Sequence, residues 1–237
     1  MATLSSIAAR VVRGTGILAP STIAGSSDET AQRLLEACQV CGEVMLRAHP
    51  WIVLVREHSF DTADGTAEYD LPSDFDRILS DTAWHEDAYW RLRGNVGWAE
   101  WQWRENAVAA LPATRKAFRV RVSTNTNKLF LHPTPAAVEG IVFEYVSNGW
   151  CTSSGGTRQS AWAADTDILL LDESLFVLGS RWLFKQSSGL PYIDDRALWQ
   201  EQMDLVMAQE IAPPGVDFSS PRADLLHPNV PDGNFGS

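Results

Sequence analysis

Cys38 and Cys41 are the residues whose type and spacing come nearest to redox or zinc chemistry, because a Cys-x-x-Cys pair can cycle through a disulfide or supply two thiolate ligands. A zinc site needs further ligands, and neither the distant Cys151 nor the scattered histidines stand at metal-binding spacing. An odd number of cysteines disfavours a disulfide framework and fits a reducing compartment. We therefore predict that Cys38 and Cys41 are small core residues one helical turn apart, with no metal and no cofactor.

The segment from Asp61 to Asp87 concentrates carboxylates, and a hydrolase could use two of them for its chemistry. Its first five residues, Asp-Thr-Ala-Asp-Gly, suggest a calcium loop, but the further oxygen ligands and the terminal Glu are missing. Gly65 instead favours a hairpin turn at this point. No recognisable scaffold places two carboxylates together, so a solvated acidic surface is the favoured interpretation and a hydrolase is the weaker alternative.

The ten tryptophans include a dense group at Trp98, Trp101 and Trp103, which could form a stacking platform for a sugar or a peptide. Helical spacing places Trp98 and Trp101 on one face and points Trp103 elsewhere. Packing in the core or at a subunit interface is the favoured interpretation. A carbohydrate-binding β module is the alternative.

The totals narrow the classes of protein further. A hydrophobic share of 45% predicts a folded chain, and no apolar run is long enough to span a membrane. The formal net charge of −11 argues against tight binding to phosphate backbones, which needs clustered Lys and Arg. We therefore predict no enzyme active site, no membrane segment and no specific DNA binding.

Four helices are predicted from apolar residues at helical spacing: Leu4–Val12, Ala31–Ala48, 172–186 and 194–211. A further stretch, Val96–Ala109, has a helix-like composition. Ser26 and Glu29 form a capping-box pattern before the second helix, and Pro50 ends it. Asp172 is the predicted cap of the third, which should be the most buried and should pack with the fourth on Ala31–Ala48. The predicted inward residues of the fourth helix are Leu198, Trp199, Met203, Val206 and Met207.

The stretch from Phe118 to Trp150 predicts three successive strands. In the first, Phe118, Val120 and Val122 form an apolar face, and the two intervening arginines form a charged face. Further strands are predicted at Trp51–Val55, 78–84 and 89–92, and a polar loop at 148–166. The chain is therefore predicted as α+β: a helical bundle from 1–50 and 170–211, with an antiparallel β-rich domain inserted at 51–169.

The last segment, 212–237, changes character, because its prolines and glycines forbid regular structure. It nonetheless carries apolar side chains that a purely disordered tail would more often lack. We predict an extended C-terminal arm that binds a neighbouring subunit or a partner protein through these anchors: Phe218, Leu225, Leu226, Val230 and Phe235.

Residues 69–78 read Tyr-Asp-Leu-Pro-Ser-Asp-Phe-Asp-Arg-Ile, and residues 129–151 contain Glu-Tyr-Val-Ser-Asn-Gly-Trp near their end. The first stretch is similar to a Y-x-L-P-x-D-F-x-R segment, and the second resembles a strand pair ending in E-Y-x-S-x-x-W. Both patterns belong to a known family, the head-to-tail adaptors (connectors) of tailed bacteriophages, of the podovirus tail-tubular and siphovirus adaptor type. The matching residues are Tyr69, Leu71, Pro72, Asp74, Phe75, Arg77, Glu144, Tyr145 and Trp150.

This resemblance implies a structural virion protein of the neck or tail, assembled in the host cytoplasm. It implies a homo-oligomeric ring, a dodecamer of about twelve copies, that lies beneath the portal protein and docks the downstream tail or nozzle protein. DNA passes through the extended channel without specific binding during genome ejection, and the C-terminal arm reaches the portal. The runner-up function is a carbohydrate-binding β module of a phage tail.

Overall fold

Helix-forming and strand-forming stretches alternate along the chain, and the computed structural model shows them as α-helices and antiparallel sheets. The structure describes residues 2–86, 88, 90–107, 116–123 and 126–210. The α+β class predicted from the sequence is therefore confirmed. The predicted arm at 212–237 lies outside the described residues.

The described part of the chain contains five α-helices and eleven short strands. The helices are α1 (Leu4–Val12), α2 (Glu29–Ala48), α3 (Trp98–Ala107), α4 (Glu173–Ser187) and α5 (Ile193–Glu210). The strands are β1 (Val55–Asp61), β2 (Glu68–Asp70), β3 (Phe75–Ile78), β4 (Trp84–His85), β5 (Trp90–Arg91), β6 (Ala117–Ser123), β7 (Thr126–His132), β8 (Gly140–Ser147), β9 (Cys151–Thr152), β10 (Arg158–Gln159) and β11 (Ile168–Leu169).

These elements form two compact units. The described residues of 1–55 and 147–212 form the helical unit, which contains α1, α2, α4 and α5. The described residues of 56–146 form the β unit, which contains two sheets and α3.

The helices begin where short polar side chains can accept hydrogen bonds from free backbone amides. Asp172 caps α4 as predicted, because its carboxylate accepts a hydrogen bond from Leu175 N at 2.7 Å. The prediction for α2 was wrong by two residues: Asp28, not Ser26, is the cap and accepts from Ala31 N at 3.0 Å. A charged carboxylate makes a stronger hydrogen bond than a hydroxyl, which explains the preference for Asp28.

The core of the helical unit is close-packed around α4, which lies against α1, α2 and α5. Two glycines make this approach possible. A Cβ atom at Gly42 would lie 2.6 Å from the Trp150 ring, and one at Gly179 would lie 2.5 Å from Cys41 Sγ. Trp150 is fully buried and meets the rings of Trp162 and Phe176, with centroids 5.1 and 5.9 Å away.

The inward face of α5 is narrower than predicted. Trp199 and Met203 are buried, but Leu198 is 45% exposed, so its predicted place in the core is wrong. The nearby Leu205 is also 50% exposed. The helix therefore keeps apolar surface that nothing in the described structure covers.

The entry into the β unit differs from the prediction. Residues Ile52–Leu54 form a 3-10 turn rather than a strand, and β1 begins only at Val55. The predicted hairpin at Asp61–Gly65 is also wrong, because β1 lies beside β8 whereas β2 pairs with β7. The turn connects two different sheets instead.

The central hairpin of β6 and β7 is confirmed, with Phe118 opposite Leu131 and Val120 opposite Leu129. Its predicted charged and apolar faces are only partly right. Arg119 is buried and Val122 is 67% exposed. The cause is α3, which packs on the supposedly charged face through Trp101, in contact with Ala117 and Phe130.

Residues 148–166, predicted as a loop, contain β9 and β10, which pair with each other through a turn at 153–156. Strand β11 completes this small sheet, and Cys151 pairs with both Gln159 and Leu169. Strands of two residues give no alternation that a sequence pattern could show.

Candidate functional site

The cysteines are structural. Cys38 and Cys41 are buried free thiols on α2, as predicted, and burial raises the pKa of both, that of Cys38 to about 12. Burial also raises the pKa of Cys151 to about 12. A thiol that stays protonated is a poor nucleophile and a poor metal ligand. Among the described residues, no group of three or more His, Cys, Asp or Glu side chains is placed to hold a metal ion.

The carboxylates of the Asp61–Asp87 segment are dispersed, and several have their own cations. Lys128 Nζ lies 2.8 Å from Glu68 and 3.3 Å from Asp70, Arg91 pairs with Asp81 at 3.2 Å, and Arg77 pairs with Asp76 at 2.6 Å. Asp87 lies outside the described residues. Carboxylates engaged in this way stabilise strands locally and do not resemble an acid–base pair.

The three tryptophans of α3 do not form one platform. Trp101 is buried, whereas Trp98 is 79% and Trp103 is 52% exposed. Trp98 and Trp101 were predicted to share one face of the helix, but only Trp101 reaches the core. Trp98 and Trp103 are five residues apart, which separates them by about 140° around the helix. Two rings in that relation cannot stack on the same sugar.

The first family-like segment folds back on the core of the β unit. Tyr69 on strand β2 and Leu71 just after it pack against the buried cluster. Pro72 begins the turn that Phe75 N closes with a 3.0 Å hydrogen bond to Pro72 O. Tyr69 lies beside the Phe60 ring, with centroids 4.9 Å apart, and donates its hydroxyl to Thr66 O at 2.7 Å. These contacts fix the turn and are not directed at solvent.

The two family-like segments meet at Asp74. Its carboxylate accepts a hydrogen bond from the Tyr145 hydroxyl at 2.9 Å and pairs with Arg56 at 3.1 Å. The rings of Phe75 and Tyr145 stack with centroids 5.7 Å apart. Glu144, between the buried Phe143 and Tyr145, has an exposed side chain. The segments therefore form a structural junction in the β unit.

Trp150, the last residue of the second segment, belongs to the other unit. It is the centre of the helical core described above, while Tyr145 belongs to the β core. A single short segment thus supplies a key aromatic side chain to each unit. Sequence spacing gave no sign of this division.

A feature that the sequence reasoning missed lies on the face of the β6–β7 hairpin against which α3 packs, where Trp98 and Arg121 are exposed and Arg119 and Phe130 are buried. The Arg119 guanidinium lies 3.9 Å from the centroid of the Trp98 ring, and that of Arg121 lies 3.7 Å from the centroid of the Phe130 ring. We call these four residues the Arg–Trp patch. The alternation of arginine with apolar residues in β6 was the available signal, but it predicted only a charged face.

A second such feature runs along α5. Residues 194, 198, 201 and 205 follow one another at spacings of four, three and four, so they share one face of the helix. All four side chains are exposed: Asp194, Leu198, Glu201 and Leu205. We call this row the α5 stripe. It alternates acidic and apolar groups.

The predicted arm anchors lie outside the described residues: Phe218, Leu225, Leu226, Val230 and Phe235. Their contact with a partner stays a prediction. None of the helices in the described part of the chain combines the length and the apolar content that a bilayer crossing requires.

Comparison with known proteins agrees with the resemblance predicted from the two segments. The family model described as SU10 adaptor protein matches residues 2–219, nearly the whole chain. No curated protein matches the chain. The matched range includes both units and both family-like segments. The chain belongs to the SU10 adaptor protein family.

Proposed function

We propose that this chain is a structural head-to-tail adaptor that assembles into a ring beneath the portal and docks the next tail component. The observation that carries the proposal is the family match over residues 2–219, since an adaptor family supports a structural role in the phage virion. Such families are typically non-enzymatic. In the proposal, helices from both ends of the chain form a bundle, and the β unit is an insertion between them.

The surface of the molecule supports this role. Large apolar side chains are exposed on both units, among them Trp98, Trp103, Leu198 and Leu205, and interfaces favour such groups. The net charge of −11 suits the lining of a DNA channel, because a surface that binds phosphates tightly would need clustered Lys and Arg. About a dozen copies would form the ring, with assembly in the host cytoplasm before the ring joins the virion neck.

The test is cryo-electron microscopy or mass photometry of the purified protein with and without its portal. We expect a closed ring attached to the portal. A protein that stays monomeric and never joins a portal would overturn the proposal.

The arm at 212–237 is proposed to attach the ring to the portal or to a neighbouring subunit. Truncation after Ile211 should leave the circular dichroism spectrum intact and weaken portal attachment by about 10-fold or more, because the apolar anchors proposed to bind the portal would be lost. A matched control keeps the arm length and replaces the anchors by Ser: Phe218, Leu225, Leu226, Val230 and Phe235. If truncation unfolds the protein, the segment belongs to the core and its proposed role is wrong.

A further inference from the structure

We propose that the Arg–Trp patch of one copy binds the α5 stripe of the next copy, with Arg121 facing Glu201 and Trp98 lying against Leu198 and Leu205. This inference rests on the proposed ring and names the surfaces that would join its subunits. It is a contact between different surfaces on the two copies.

The first argument is a buried cation that lacks an anion. Arg119 is only 6% exposed, and no described carboxylate forms an ion pair with it. Arg104 on α3 is equally buried, yet it pairs with Glu100 at 3.1 Å. A buried charge without a counter-charge is unfavourable, and stacking on Trp98 compensates only in part. Negative charge brought close to Arg119 by an incoming molecule, without direct contact, would offset part of this cost.

The second argument is the exposed arginine beside it. Arg121 extends over the Phe130 ring, which restrains its direction. Its cross-strand neighbour Lys128 is already engaged by two carboxylates, Glu68 and Asp70. Arg121 has no such partner among the described residues, so it is available to an incoming anion.

The α5 stripe offers the complementary chemistry. Among the described residues, no cation pairs with Glu201 or Asp194, although Asp195 on the neighbouring face pairs with Lys185 at 2.5 Å. Leu198 and Leu205 flank Glu201 within about 6 Å along the helix axis. In the proposed contact, Trp98 would lie between Leu198 and Leu205 and bury apolar area. Arg121 would pair with the carboxylate of Glu201.

Another copy fits this patch better than DNA does. A phosphate-binding surface needs several free cations along a groove, whereas Lys128 is neutralised and Arg119 is covered. The chain itself carries a formal charge of −11, so each copy presents abundant carboxylate to its neighbour. Because the two surfaces differ, the contact is head-to-tail, which is the geometry that generates rings.

The test is a charge exchange in the full-length chain, with assembly measured by mass photometry in the presence of the portal. Arg121→Glu and Glu201→Arg are both changes at exposed positions, and each should weaken subunit association by about 10-fold or more. The double variant restores the opposite charges across the interface and should recover assembly. Arg13→Glu and Asp64→Arg reverse exposed charges elsewhere and should assemble like the wild type.

The outcomes separate this contact from the ring itself. Recovery in the double variant, with normal circular dichroism throughout, supports the pairing. Rings that form normally with either single reversal would overturn the contact while the adaptor ring stands. Loss in both single variants without recovery in the double variant would also overturn it. If the wild type never assembles, the proposed ring fails and the contact fails with it.

Discussion

The two units of this protein are held together by different means. The helical unit fills its interior with aromatic rings, thiols and glycines, and Asp167 is the one charged side chain among its buried described residues, where it accepts hydrogen bonds from Ala163 N and Ala164 N. The β unit has an aromatic core as well, but it also buries His85, Arg104 and Arg119.

Because of this difference, we expect the helical unit to be the more rigid of the two. Close packing makes the helical unit sensitive to changes of volume, because interiors at this density relax little. In the β unit, short strands are also held by polar side-chain pairs, such as the ion pair of Lys116 with Glu139 and the hydrogen bond of Tyr145 with Asp74. Each such pair contributes little stability, so the stability of this unit should respond to changes of charge and pH.

The largest expected effect comes from truncating a large side chain in the core of the helical unit. Trp150→Ala should lower the free energy of unfolding by about 3–5 kcal/mol, because the fully buried indole fills the space against Gly42 and Phe176. Urea unfolding followed by helical circular dichroism measures the change.

The matched control for that experiment is Trp98→Ala. Trp98 is 79% exposed and stacks with the Arg119 guanidinium, so its loss should cost less than about 1 kcal/mol. Equal losses from both variants would contradict the contrast between a packed helical core and an exposed aromatic surface.

The helices were predictable because each one carries its own signal. Apolar residues at helical spacing and capping carboxylates such as Asp172 are local, and they gave α1, α2, α4 and α5 to within about three residues. The two-residue error at Asp28 arose because two neighbouring side chains can both cap, and only the geometry decides between them.

The sheets were less predictable because pairing is not local. Nothing near Asp61 shows that β1 lies beside β8, about 80 residues further on, rather than beside β2. Burial of Arg119 depends on α3 packing over the hairpin, and alternation within β6 could not show that. The Arg–Trp patch was missed for the same reason. The arm anchors were predicted from sequence and stay untested.

A smaller effect is expected at the junction of the two family-like segments. Tyr145→Phe removes the hydroxyl that donates to Asp74 at 2.9 Å but keeps the ring that stacks on Phe75. The β unit should lose about 1 kcal/mol, the typical net value of one hydrogen bond. Hydrogen exchange of the β6–β8 segments measures this locally.

A double-mutant cycle with Asp74→Ala, which removes the accepting oxygen, tests whether this hydrogen bond is specific. The two changes should be less than additive, because either one removes the same hydrogen bond. The helical segments should exchange as in the wild type. Additive losses would mean that Tyr145 and Asp74 act independently and that the segments meet without mutual support.

The smallest expected effect is a pH dependence confined to the β unit. Burial lowers the pKa of His58, against an opposing pull from Asp74, and burial with the nearby Arg104 lowers the pKa of His132. Both groups therefore bind a proton less readily when folded than when unfolded, where the pKa is about 6.5. The unfolded chain takes up more protons as pH falls through about 6.5, so the β unit loses stability below that point.

The variant that should remove this dependence replaces both histidines by Phe, which cannot take up a proton and keeps an aromatic ring. His58 already lies between the Phe60 and Phe143 rings, with centroids 5.9 and 5.4 Å away, so that site is suited to an aromatic side chain. Between about pH 7 and about pH 5.5, hydrogen exchange in the β unit should then change less than in the wild type. The ordinary pKa of a carboxyl group lies below this pH range, and both proteins carry the same carboxyl groups. Their contribution is therefore the same in the wild type and the variant. If hydrogen exchange in the β unit depends on pH as strongly as in the wild type, the two histidines are not the cause. The pH dependence would then come from the polar side-chain pairs of this unit.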